Sequence, residues 1–463
     1  MHLTLRFDAG TLVVDTDTRD EAAALDLPDP CVFDDRIGRW RAPADAYRAV
    51  FAWLHRQSQT GAITYADEAR AYGPLGLEAR ATRQPRPYQT EAVNAWFDAG
   101  RRGVIVLPTG AGKSYVARRI IDRLDRSTLV VVPTLDLMNQ WYDGLLAAFT
   151  LDDIGLLGGG YHDVRPLTVT TYDSASLHMD RYGDRFGLIV FDEVHHLPGP
   201  TRLRAAASAI APFRLGLTAT PERQDGRETA LDDAVGPIVY RRGIKELAGH
   251  FLADYDVEQV TVSLTEDEAA RYRDARALYL DFVRGAGIRF SQRDGWGRFI
   301  MLSSRSREGR RAMRAYREQR QIALTCQRKL ELVEHLIAEH AQDRVLVFTN
   351  DNDTVYTLSR RLLVPAITHQ TPTKERREIL QRFNSGAYRV VVTSKVLNEG
   401  VDVPEAGVAI VLSGSGSVRE HVQRLGRILR KRGDKRALLY EVVTGDTVEE
   451  RVSERRREHD AYR

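Results

Sequence analysis

The chain is short of cysteine, of net charge and of long apolar runs, and each shortage excludes a class of protein. Its two cysteines, Cys31 and Cys326, lie far apart in the sequence. A disulfide framework, a four-cysteine zinc site and a cysteine-ligated iron–sulfur cluster are therefore excluded. No apolar run approaches the roughly 18 residues of a membrane-spanning helix, and the first residues lack the apolar stretch of a signal peptide. We expect a soluble, cytoplasmic protein with no membrane partner.

The near balance of charge limits how the chain can bind nucleic acid. The formal net charge is +3 over 463 residues. Affinity for DNA must therefore come from local basic patches and not from the surface as a whole. The length and the apolar content of 43% are sufficient for several domains with well-filled cores.

The clearest positive signal is a glycine-rich turn between a predicted strand and a predicted helix. Residues 103–107 are apolar and β-branched, as in a buried strand, and residues 115–124 carry apolar side chains at helical spacing. In the turn between them, backbone amides and the helix N-terminus would face an anion. This predicted phosphate-binding loop consists of Leu107, Pro108, Thr109, Gly110, Ala111, Gly112, Lys113 and Ser114.

Two side chains of this loop are expected to act directly on ATP. Lys113 would reach the β- and γ-phosphates, and the hydroxyl of Ser114 would bind Mg²⁺. The full pattern has glycine at position 107, where this chain has leucine. Phosphate loops of the helicase type tolerate that change, so leucine at this position narrows the class of ATP-binding protein without excluding a phosphate loop. A flexible turn with an incidental lysine is the alternative, but the strand and helix on either side favour the phosphate loop.

A second signal lies at the end of the apolar segment 188–191, where Asp192 and Glu193 follow a predicted buried strand. An aspartate at this place can hold Mg²⁺, and the adjacent glutamate can orient or deprotonate the attacking water. The histidines that follow are too close together for the HExxH zinc pattern. We expect His195 to couple the nucleotide site to residues 218–220.

Arg86 and Gln89 stand at the start of a predicted helix, about two dozen residues before the phosphate loop. A glutamine can pair with both N6 and N7 of adenine. Gln89 is therefore a candidate adenine reader, with Arg86 beside it as a further nucleotide contact.

Hydroxyl groups lie at the ends of several predicted strands. Such groups and helix N-termini can hold a nucleic-acid backbone without reading its sequence. For a single threonine, helix capping is the simpler interpretation. The residues assigned to DNA on this basis are Thr134, Thr171, Tyr172, Thr349 and Thr393.

The regular alternation of strands and helices stops from about 255 to 325, and charged helical sequence replaces it. Between residues 296 and 321, eight arginines stand against two glutamates, interleaved with Trp296, Phe299 and Tyr316. This strip can neutralise phosphates while its rings offer stacking surfaces. A solvated helix face is the alternative.

The α/β pattern then resumes and ends in a basic helical segment. Arg427 and Arg430 are three residues apart, so a helix places both on one face. Such a pair could reach a transferred phosphoryl group as arginine fingers. An ordinary basic helix is the alternative.

Residues 1–80 read as a separate α+β unit. Residues 3–7 and 11–15 predict a hairpin around a glycine turn, and residues 46–56 have helical spacing. The segment contains more acidic than basic residues. An accessory or partner-docking role therefore fits it better than non-specific DNA binding.

Taken in order, these motifs resemble those of superfamily 2 helicases, and within them the XPB family, most closely its prokaryotic members. The resemblance covers nearly the whole chain. It implies an α/β fold with two RecA-like P-loop domains, a small α+β N-terminal domain similar to the family's damage-recognition domain, and a helical thumb-like insertion. The implied boundaries are 1–80, 81–250, 251–325 and 326–463. The matching segments are 86–89, 107–114, 132–134, 171–174, 191–198, 213–220, 398–404, 413–417 and 423–430.

The resemblance also implies an activity and site residues. It implies a 3′-to-5′ DNA helicase that uses ATP and Mg²⁺ on forked DNA or duplex with a single-stranded tail, in nucleotide excision repair or transcription-linked DNA opening. It assigns Asp402 to the nucleotide, and Arg223 and Asp225 to DNA. The catalytic set is Lys113, Asp192, Glu193, Arg427 and Arg430, with Ser114 and Asp192 as metal ligands.

One departure keeps other hypotheses open. The family signature has glutamate where this chain has Gln224, which removes a negative charge that could wedge DNA strands apart. A duplex translocase that does not separate strands is therefore a second hypothesis. A nucleotide-gated scaffold that recruits a nuclease is a third. A restriction-enzyme motor subunit is a lesser alternative, because nothing in the chain resembles its nuclease. We expect a monomer.

Overall fold

The described residues contain three sheets, each with its own hydrophobic core. A computed structural model of the chain describes residues 1–23, 25–80, 84–151, 153–221, 226, 229–247, 251, 255–290, 294–394, 406–412 and 437–450. Its contacts divide it into two units, residues 1–246 and 247–463. Among the described helices, none has both the length and the apolar run that crossing a bilayer requires.

The N-terminal sheet is a small α+β arrangement. Its elements are β1 (His2–Asp8), β2 (Thr11–Thr16), α1 (Arg19–Ala23), β3 (Val32–Asp34), β4 (Arg39–Pro43), a 3₁₀ turn (Ala44–Ala46), α2 (Tyr47–Gln59) and β5 (Thr64–Asp67). The strand order is β3-β4-β2-β1-β5, and β1 and β2 form the antiparallel hairpin that the sequence predicts. Alternate hairpin residues and one face of α2 fill the core.

The second sheet has eight strands in the order β13-β6-β12-β11-β7-β10-β8-β9, parallel except for the β8–β9 hairpin. Its elements are α3 (Pro87–Asp98), β6 (Arg102–Val106), α4 (Lys113–Leu124), β7 (Thr128–Val132), α5 (Leu135–Ala148), β8 (Ile154–Gly158), β9 (Tyr161–Asp163), β10 (Leu167–Thr171), α6 (Tyr172–Tyr182), β11 (Leu188–Asp192), α7 (Arg204–Ala207), β12 (Phe213–Thr218), α8 (Ala230–Ala234), β13 (Ile238–Arg241) and α9 (Ile244–Leu247). The central strands are buried on both faces, which explains their continuous apolar runs.

The N-terminal domain packs directly on this eight-stranded domain. Ile210, which precedes β12, is buried within the N-terminal hydrophobic cluster. The amide of Ala71 donates to the carbonyl of Asp184 at 2.9 Å. Residues 1–80 thus have their own sheet, but their contacts join them to residues 81–246 in a single unit. Apolar side chains of the second domain complete a core that a sequence of this length only partly fills.

A buried arginine lies within the same unit. The guanidinium of Arg214, on β12, is inaccessible to solvent and donates to the carbonyls of Ala206, Ala209, Ala211 and Ala234 at 2.6–3.2 Å. Burial lowers its pKa to about 10. These bonds connect β12 with the ends of α7 and α8 and with the segment between α7 and β12, so one side chain holds several neighbouring segments together.

The third sheet is parallel throughout, in the order β14-β19-β18-β15-β17-β16. Its unit contains β14 (Tyr255–Val262), α10 (Glu266–Gly285), α11 (Gly295–Arg305), α12 (Arg307–Thr325), α13 (Gln327–Glu339), β15 (Val345–Phe348), α14 (Asn352–Leu362), β16 (Ala366–Ile367), α15 (Thr373–Asn384), β17 (Val390–Thr393), β18 (Val408–Val411) and β19 (Ala437–Thr444). The two parallel sheets confirm the predicted α/β class.

The helical insertion is shorter than the sequence predicts. Residues 255–262, expected to belong to it, form β14 instead, which pairs along its full length with β19. The charged and polar residues of β14 occupy an edge of the sheet, where one side remains accessible, and this obscured the strand pattern. Helices α10, α11 and α12 supply the expected helical segment.

A buried ion pair fixes the end of β18 in this unit. Lys329 on α13 is inaccessible to solvent, and Glu449 is 3% exposed. The Nζ atom of Lys329 lies 2.5 Å from Oε2 of Glu449 and donates to the carbonyl of Leu412 at 2.8 Å. Oε2 also accepts from the amide of Thr444 at 3.0 Å. The pair therefore connects α13 with the ends of β18 and β19.

Candidate active site

The phosphate-binding loop connects β6 to α4, as predicted. Gly110 and Gly112 have φ values of 85° and 84°, in the left-handed region that side chains disfavour. The carbonyl of Ala111 between them accepts from the hydroxyl of Tyr88 at 2.7 Å and from the side-chain Nε2 of Gln89 at 2.9 Å. The start of α3 thereby supports the turn and holds one of its carbonyls away from the anion-binding side.

Leucine at position 107 follows from the packing of the sheet. Its side chain is fully buried, and its amide donates to the carbonyl of Thr218 at 3.0 Å. Leu107 therefore extends the hydrophobic core beyond the end of β6. The positions where the backbone can approach a ligand closely are Gly110 and Gly112.

Lys113, the first residue of α4, is buried beside the second motif. Its Nζ atom lies 3.7 Å from Oε1 of Glu193 and 3.5 Å from the carbonyl of Leu107. Ser114 follows on the same helix. In the described part of the chain, the buried hydroxyl of Thr109 has no hydrogen-bond partner. An unsatisfied hydroxyl here is consistent with a ligand that would complete its bonding.

Asp192 ends β11 and is held from three directions. Its Oδ2 accepts from the indole Nε1 of Trp141 at 2.7 Å, and its Oδ1 accepts from the amide of Glu193 at 3.0 Å. Its carbonyl accepts from the hydroxyl of Tyr172 at 3.0 Å. Burial and the neighbouring charge of Glu193 raise the pKa of Asp192 to about 6, opposed by Lys113 and Trp141.

Glu193 has an unfavourable backbone conformation beside this carboxylate. Its φ of 48° is left-handed, which is uncommon for a residue with a side chain. Within the described residues, its buried Oε2 accepts no hydrogen bond, although it lies 3.5 Å from Nδ1 of His195. Strained backbone and unsatisfied polar atoms concentrate at functional sites.

The donor set fits Mg²⁺. Each oxygen of Asp192 accepts one bond from the protein and retains acceptor capacity, and the hydroxyl of Ser114 begins the neighbouring helix. Hard oxygen ligands of this kind, few in number and shared with phosphates and water, suit Mg²⁺. Among the described residues, no three His, Cys, Asp or Glu side chains form a metal cluster, so an all-protein site is not seen there.

The predicted coupling through His195 has a structural basis. His195 is fully buried, and its Nδ1 lies 3.0 Å from the hydroxyl of Thr218. That hydroxyl donates to the carbonyl of Thr220 at 3.1 Å and accepts from its amide at 3.2 Å. A chain of polar contacts thus runs from the end of β11 to the segment that follows β12.

Gln89 has structural partners that the sequence did not reveal. It is 1% exposed, its oxygen accepts from the amide of Arg86 at 3.0 Å, and its nitrogen donates to the carbonyl of Ala111. An adenine contact would have to use the remaining bonding capacity of this amide. Adenine reading by Gln89 and Arg86 stays a prediction, while support of the phosphate loop is observed.

Each of the four threonines assigned to DNA has a structural partner within the protein, and two of them are helix caps. The hydroxyl of Thr134 caps α5, and that of Thr171 caps α6. Thr349 and Thr393 are fully buried and donate to the carbonyls of Asp351 and Ser394. DNA binding by any of these four residues stays a prediction.

Tyr172 does not suit a direct DNA contact. Its side chain is 1% exposed, and its hydroxyl is bonded to Asp192 inside the domain. The strand-end position suggested a surface group, but the ring turns inward as the first residue of α6. Its observed role is to support the carboxylate motif.

The arginine strip on α11 and α12 is exposed, but its aromatic residues are not equivalent. Trp296 is 44% exposed, whereas Phe299 is fully buried at the centre of a ring cluster with Tyr279 and Tyr316. Phe299 therefore cannot offer a stacking face. The eight arginines remain on the surface.

Several predicted site residues lie outside the described residues. They are Arg223, Gln224, Asp225, Asp402, Arg427 and Arg430. Their assignments stay predictions. Trp141 and Tyr88, by contrast, are site residues that the sequence reasoning missed, because the partners that reveal them, Asp192 and Ala111, are 51 and 23 residues away.

Three family profiles match successive parts of the chain. Residues 5–69 match the Xeroderma pigmentosum group B helicase damage recognition domain. Residues 82–223 match the type III restriction enzyme res subunit, and residues 310–460 match the ERCC3/RAD25/XPB C-terminal helicase. The order of the matches is that of the N-terminal domain, the phosphate-loop domain and the second unit.

A protein of Sulfurisphaera tokodaii called DNA 3′-5′ translocase XPB2 is 45% identical over 373 residues, which are 81% of this chain and 84% of that protein. The chain belongs to the XPB family. A protein of Kineococcus radiotolerans called DNA 3′-5′ helicase XPB is 35% identical over 375 residues. These residues are 78% of this chain and 60% of that protein.

A solved structure supports the fold independently of close sequence similarity. The Pyrococcus furiosus Hef helicase domain matches with a TM-score of 0.54 at 20% identity, covering 80% of this chain and 97% of that one. At this identity the likeness concerns the fold alone. It agrees with two RecA-like domains in this XPB-family chain.

Proposed function

We propose that this XPB-family chain is a DNA-dependent ATPase that moves 3′-to-5′ along DNA and opens forked duplexes, with a role in nucleotide excision repair. The observation that carries the proposal is the junction of two distant motifs. Lys113 of the phosphate loop lies 3.7 Å from Glu193 of the second motif, next to the buried Asp192. The names of its relatives, translocase and helicase, supply the expected coupling to DNA.

In this proposal each group at the site has its own task. Lys113 would exchange Glu193 for the β- and γ-phosphates, while the amides of the loop bind their oxygens. Release of Glu193 would leave its carboxylate available to orient the attacking water. Asp192 and Ser114 would hold Mg²⁺, which neutralises charge on the phosphates when bound.

The second unit supplies the remaining part of the proposal. Arg427 and Arg430 would stabilise charge on the transferred phosphoryl group, and Asp402 would contact the nucleotide. Hydrolysis would then alter how tightly the two RecA-like domains hold DNA, which converts the chemical cycle into movement. In this proposal the protein works in the cytoplasm as a monomer.

The deciding experiment compares ATP hydrolysis without DNA and with single-stranded, blunt duplex and forked DNA, while opening of a labelled fork is followed in parallel. We expect stimulation by DNA, opening of the fork, and loss of both in Lys113→Ala. The matched control is Lys374→Ala, on α15 outside the predicted site, which should behave as wild type. Absence of stimulation by every DNA would contradict the proposal.

A second candidate is a duplex translocase that does not separate strands, favoured by Gln224 and by the name of the archaeal relative. It predicts displacement of a triplex strand without opening of the fork. Gln224→Glu restores the family's charge and should then confer or increase fork opening. If wild type already opens forks and the variant adds nothing, this candidate fails.

A docking role for the N-terminal domain is a further part of the proposal. Its acidic excess fits a basic protein partner better than DNA, and a nuclease is the partner we expect. Co-purification of a nuclease that persists in Lys113→Ala would support recruitment. Loss of the nuclease in that variant would instead tie recruitment to ATP binding.

A further inference from the structure

Two helices with predicted DNA contacts at their N-termini each direct one buried hydrogen bond to Asp192. Helix α5 begins after Thr134 and contributes Trp141, while α6 begins after Thr171 and contributes Tyr172. The indole binds the carboxylate, and the phenol binds the main-chain carbonyl of the same residue. The proposed role of Asp192 in holding Mg²⁺ does not by itself require these two hydrogen bonds.

The position of Trp141 on its helix makes the connection direct. Seven residues separate it from Thr134, which is close to two helical turns and about 10 Å along the axis. Trp141 therefore lies on the same side of α5 as its capping residue. A displacement of the N-terminus of this rigid helix would be transmitted to the indole.

A second contact ties α5 to the phosphate-binding helix. The guanidinium of Arg118, on α4, donates to the carbonyl of Gly144 on α5 at 2.8 Å. Helix α5 is thus bonded both to the helix that begins with Lys113 and to the carboxylate on β11. A change in its position would be felt on both sides of the predicted phosphate site.

The bond between Trp141 and Asp192 differs from ordinary burial of an indole. Trp96 is also fully buried, but its Nε1 donates to a main-chain carbonyl, that of Arg214, at 3.0 Å. The Trp141 bond is made to a carboxylate, at 2.7 Å. A hydrogen bond to an anionic acceptor both orients it and contributes more than a neutral one.

Resting on the proposed function, we propose that Trp141 is a positioning residue that orients Asp192 for Mg²⁺ and makes this orientation depend on the position of α5. DNA at the N-termini of α5 and α6 would thereby adjust the metal-binding carboxylate. Tyr172 is the weaker second connection, because it holds the main chain of Asp192 and leaves its carboxylate oxygens untouched.

The test compares Trp141→Phe with Trp96→Phe. Both variants remove one indole N–H from a buried site, so Trp96→Phe controls for the loss of a buried indole hydrogen bond that does not involve Asp192. Hydrolysis is measured against Mg²⁺ concentration, with and without forked DNA. In Trp141→Phe we expect the half-saturating Mg²⁺ to rise about tenfold or more, and stimulation by DNA to fall by a similar factor. Loss of active protein alone would leave both quantities unchanged.

A spectroscopic measurement provides a readout that needs neither nucleotide nor metal. The chain has five tryptophans, and the indole N–H signal of Trp141 in a ¹⁵N-labelled sample is assigned by its loss in Trp141→Phe. We expect this signal to shift when forked DNA is added to the full chain, while that of Trp96 stays in place. An unmoved Trp141 signal would overturn the dependence on α5.

The outcomes separate this inference from the proposed function. If wild type is not stimulated by any DNA, the proposed function and the DNA coupling both fail, while the Mg²⁺ titration still tests orientation of Asp192. If wild type is stimulated and the two tryptophan variants behave alike, only the inference fails. Should Trp141→Phe not fold, Tyr172→Phe should shift both quantities in the same direction by a smaller factor, and no shift in it would refute the proposal.

Discussion

Replacement of Lys329 by methionine should strongly destabilise the second unit. The variant keeps most of the apolar stem but leaves Glu449 as a buried carboxylate without its cation, bonded only by the amide of Thr444 among the contacts described. It also removes the donor to the carbonyl of Leu412. Breaking a buried pair from one side costs about 3–5 kcal/mol.

This magnitude is easily measured. For a unit of this size, each kcal/mol corresponds to about 2–4 °C in Tm, so we expect a decrease of roughly 6–20 °C. Because the chain has more than one unit, Tm should be combined with hydrogen exchange at β19, which reports on the affected strand. Exchange there should accelerate in Lys329→Met, while β6 in the first unit stays protected.

Two further variants isolate the role of burial. Arg361 and Glu334 form a pair of the same 2.5 Å separation in the same unit, but both side chains are more than a third exposed. Arg361→Met should therefore change Tm little, since solvent screens the carboxylate that remains. The double variant Lys329→Met/Glu449→Gln removes both buried charges and should recover most of the loss. Equal effects of Lys329→Met and Arg361→Met, or no recovery in the double variant, would refute the reasoning.

Four other predictions concern the site and its frame. Arg427→Ala should reduce ATP turnover about a thousandfold if it is an arginine finger, and intact turnover would exclude that role. Gly103→Ala should cost about 1–3 kcal/mol, because φ is 146° and a Cβ would lie 2.4 Å from Val239, whereas Gly73→Ala, with open space, should be nearly neutral by thermal unfolding. Arg214→Met should cost at least about 3 kcal/mol by leaving four carbonyls without this donor, and an unchanged Tm would contradict its bracing role. Because the pKa of Asp192 is raised to about 6, protons compete with Mg²⁺ for its carboxylate, and the Mg²⁺ concentration needed for thermal stabilisation with ADP should increase as the pH falls toward 6. Glu193→Gln removes the neighbouring negative charge and should move that increase to lower pH. A Mg²⁺ requirement that does not change with pH would count against the raised pKa.

Many of the strands, helices and turns that position the site could be predicted from local sequence. Apolar runs such as 188–191 become buried parallel strands, and the loop from Leu107 to Ser114 connects strand to helix as its glycines require. These features depend on neighbours along the chain, so periodicity and turn chemistry reveal them. The edge strand β14 escaped because one accessible side weakens the apolar pattern.

The interior of the site could not be predicted in the same way. Trp141 and Asp192 are far apart in sequence, and only the stacking of α5 against the sheet brings the indole to the carboxylate. The same applies to Gln89. The sequence suggests that its side-chain amide contacts adenine, but in the fold this amide donates a hydrogen bond to the carbonyl of Ala111. Hydrogen bonds between distant elements depend on tertiary packing, which a motif does not encode.

The packing of the N-terminal domain onto the eight-stranded domain affects how deletions can be interpreted. A chain that starts near residue 84 would expose Ile210 and would lose the amide of Ala71 that bonds Asp184. A decrease in activity or solubility could then come either from loss of what the N-terminal domain binds or from exposure of the hydrophobic surface that this domain covers. Single substitutions on the solvent side of β3 and β4, which leave that contact intact, are the cleaner way to ask what the N-terminal domain recognises.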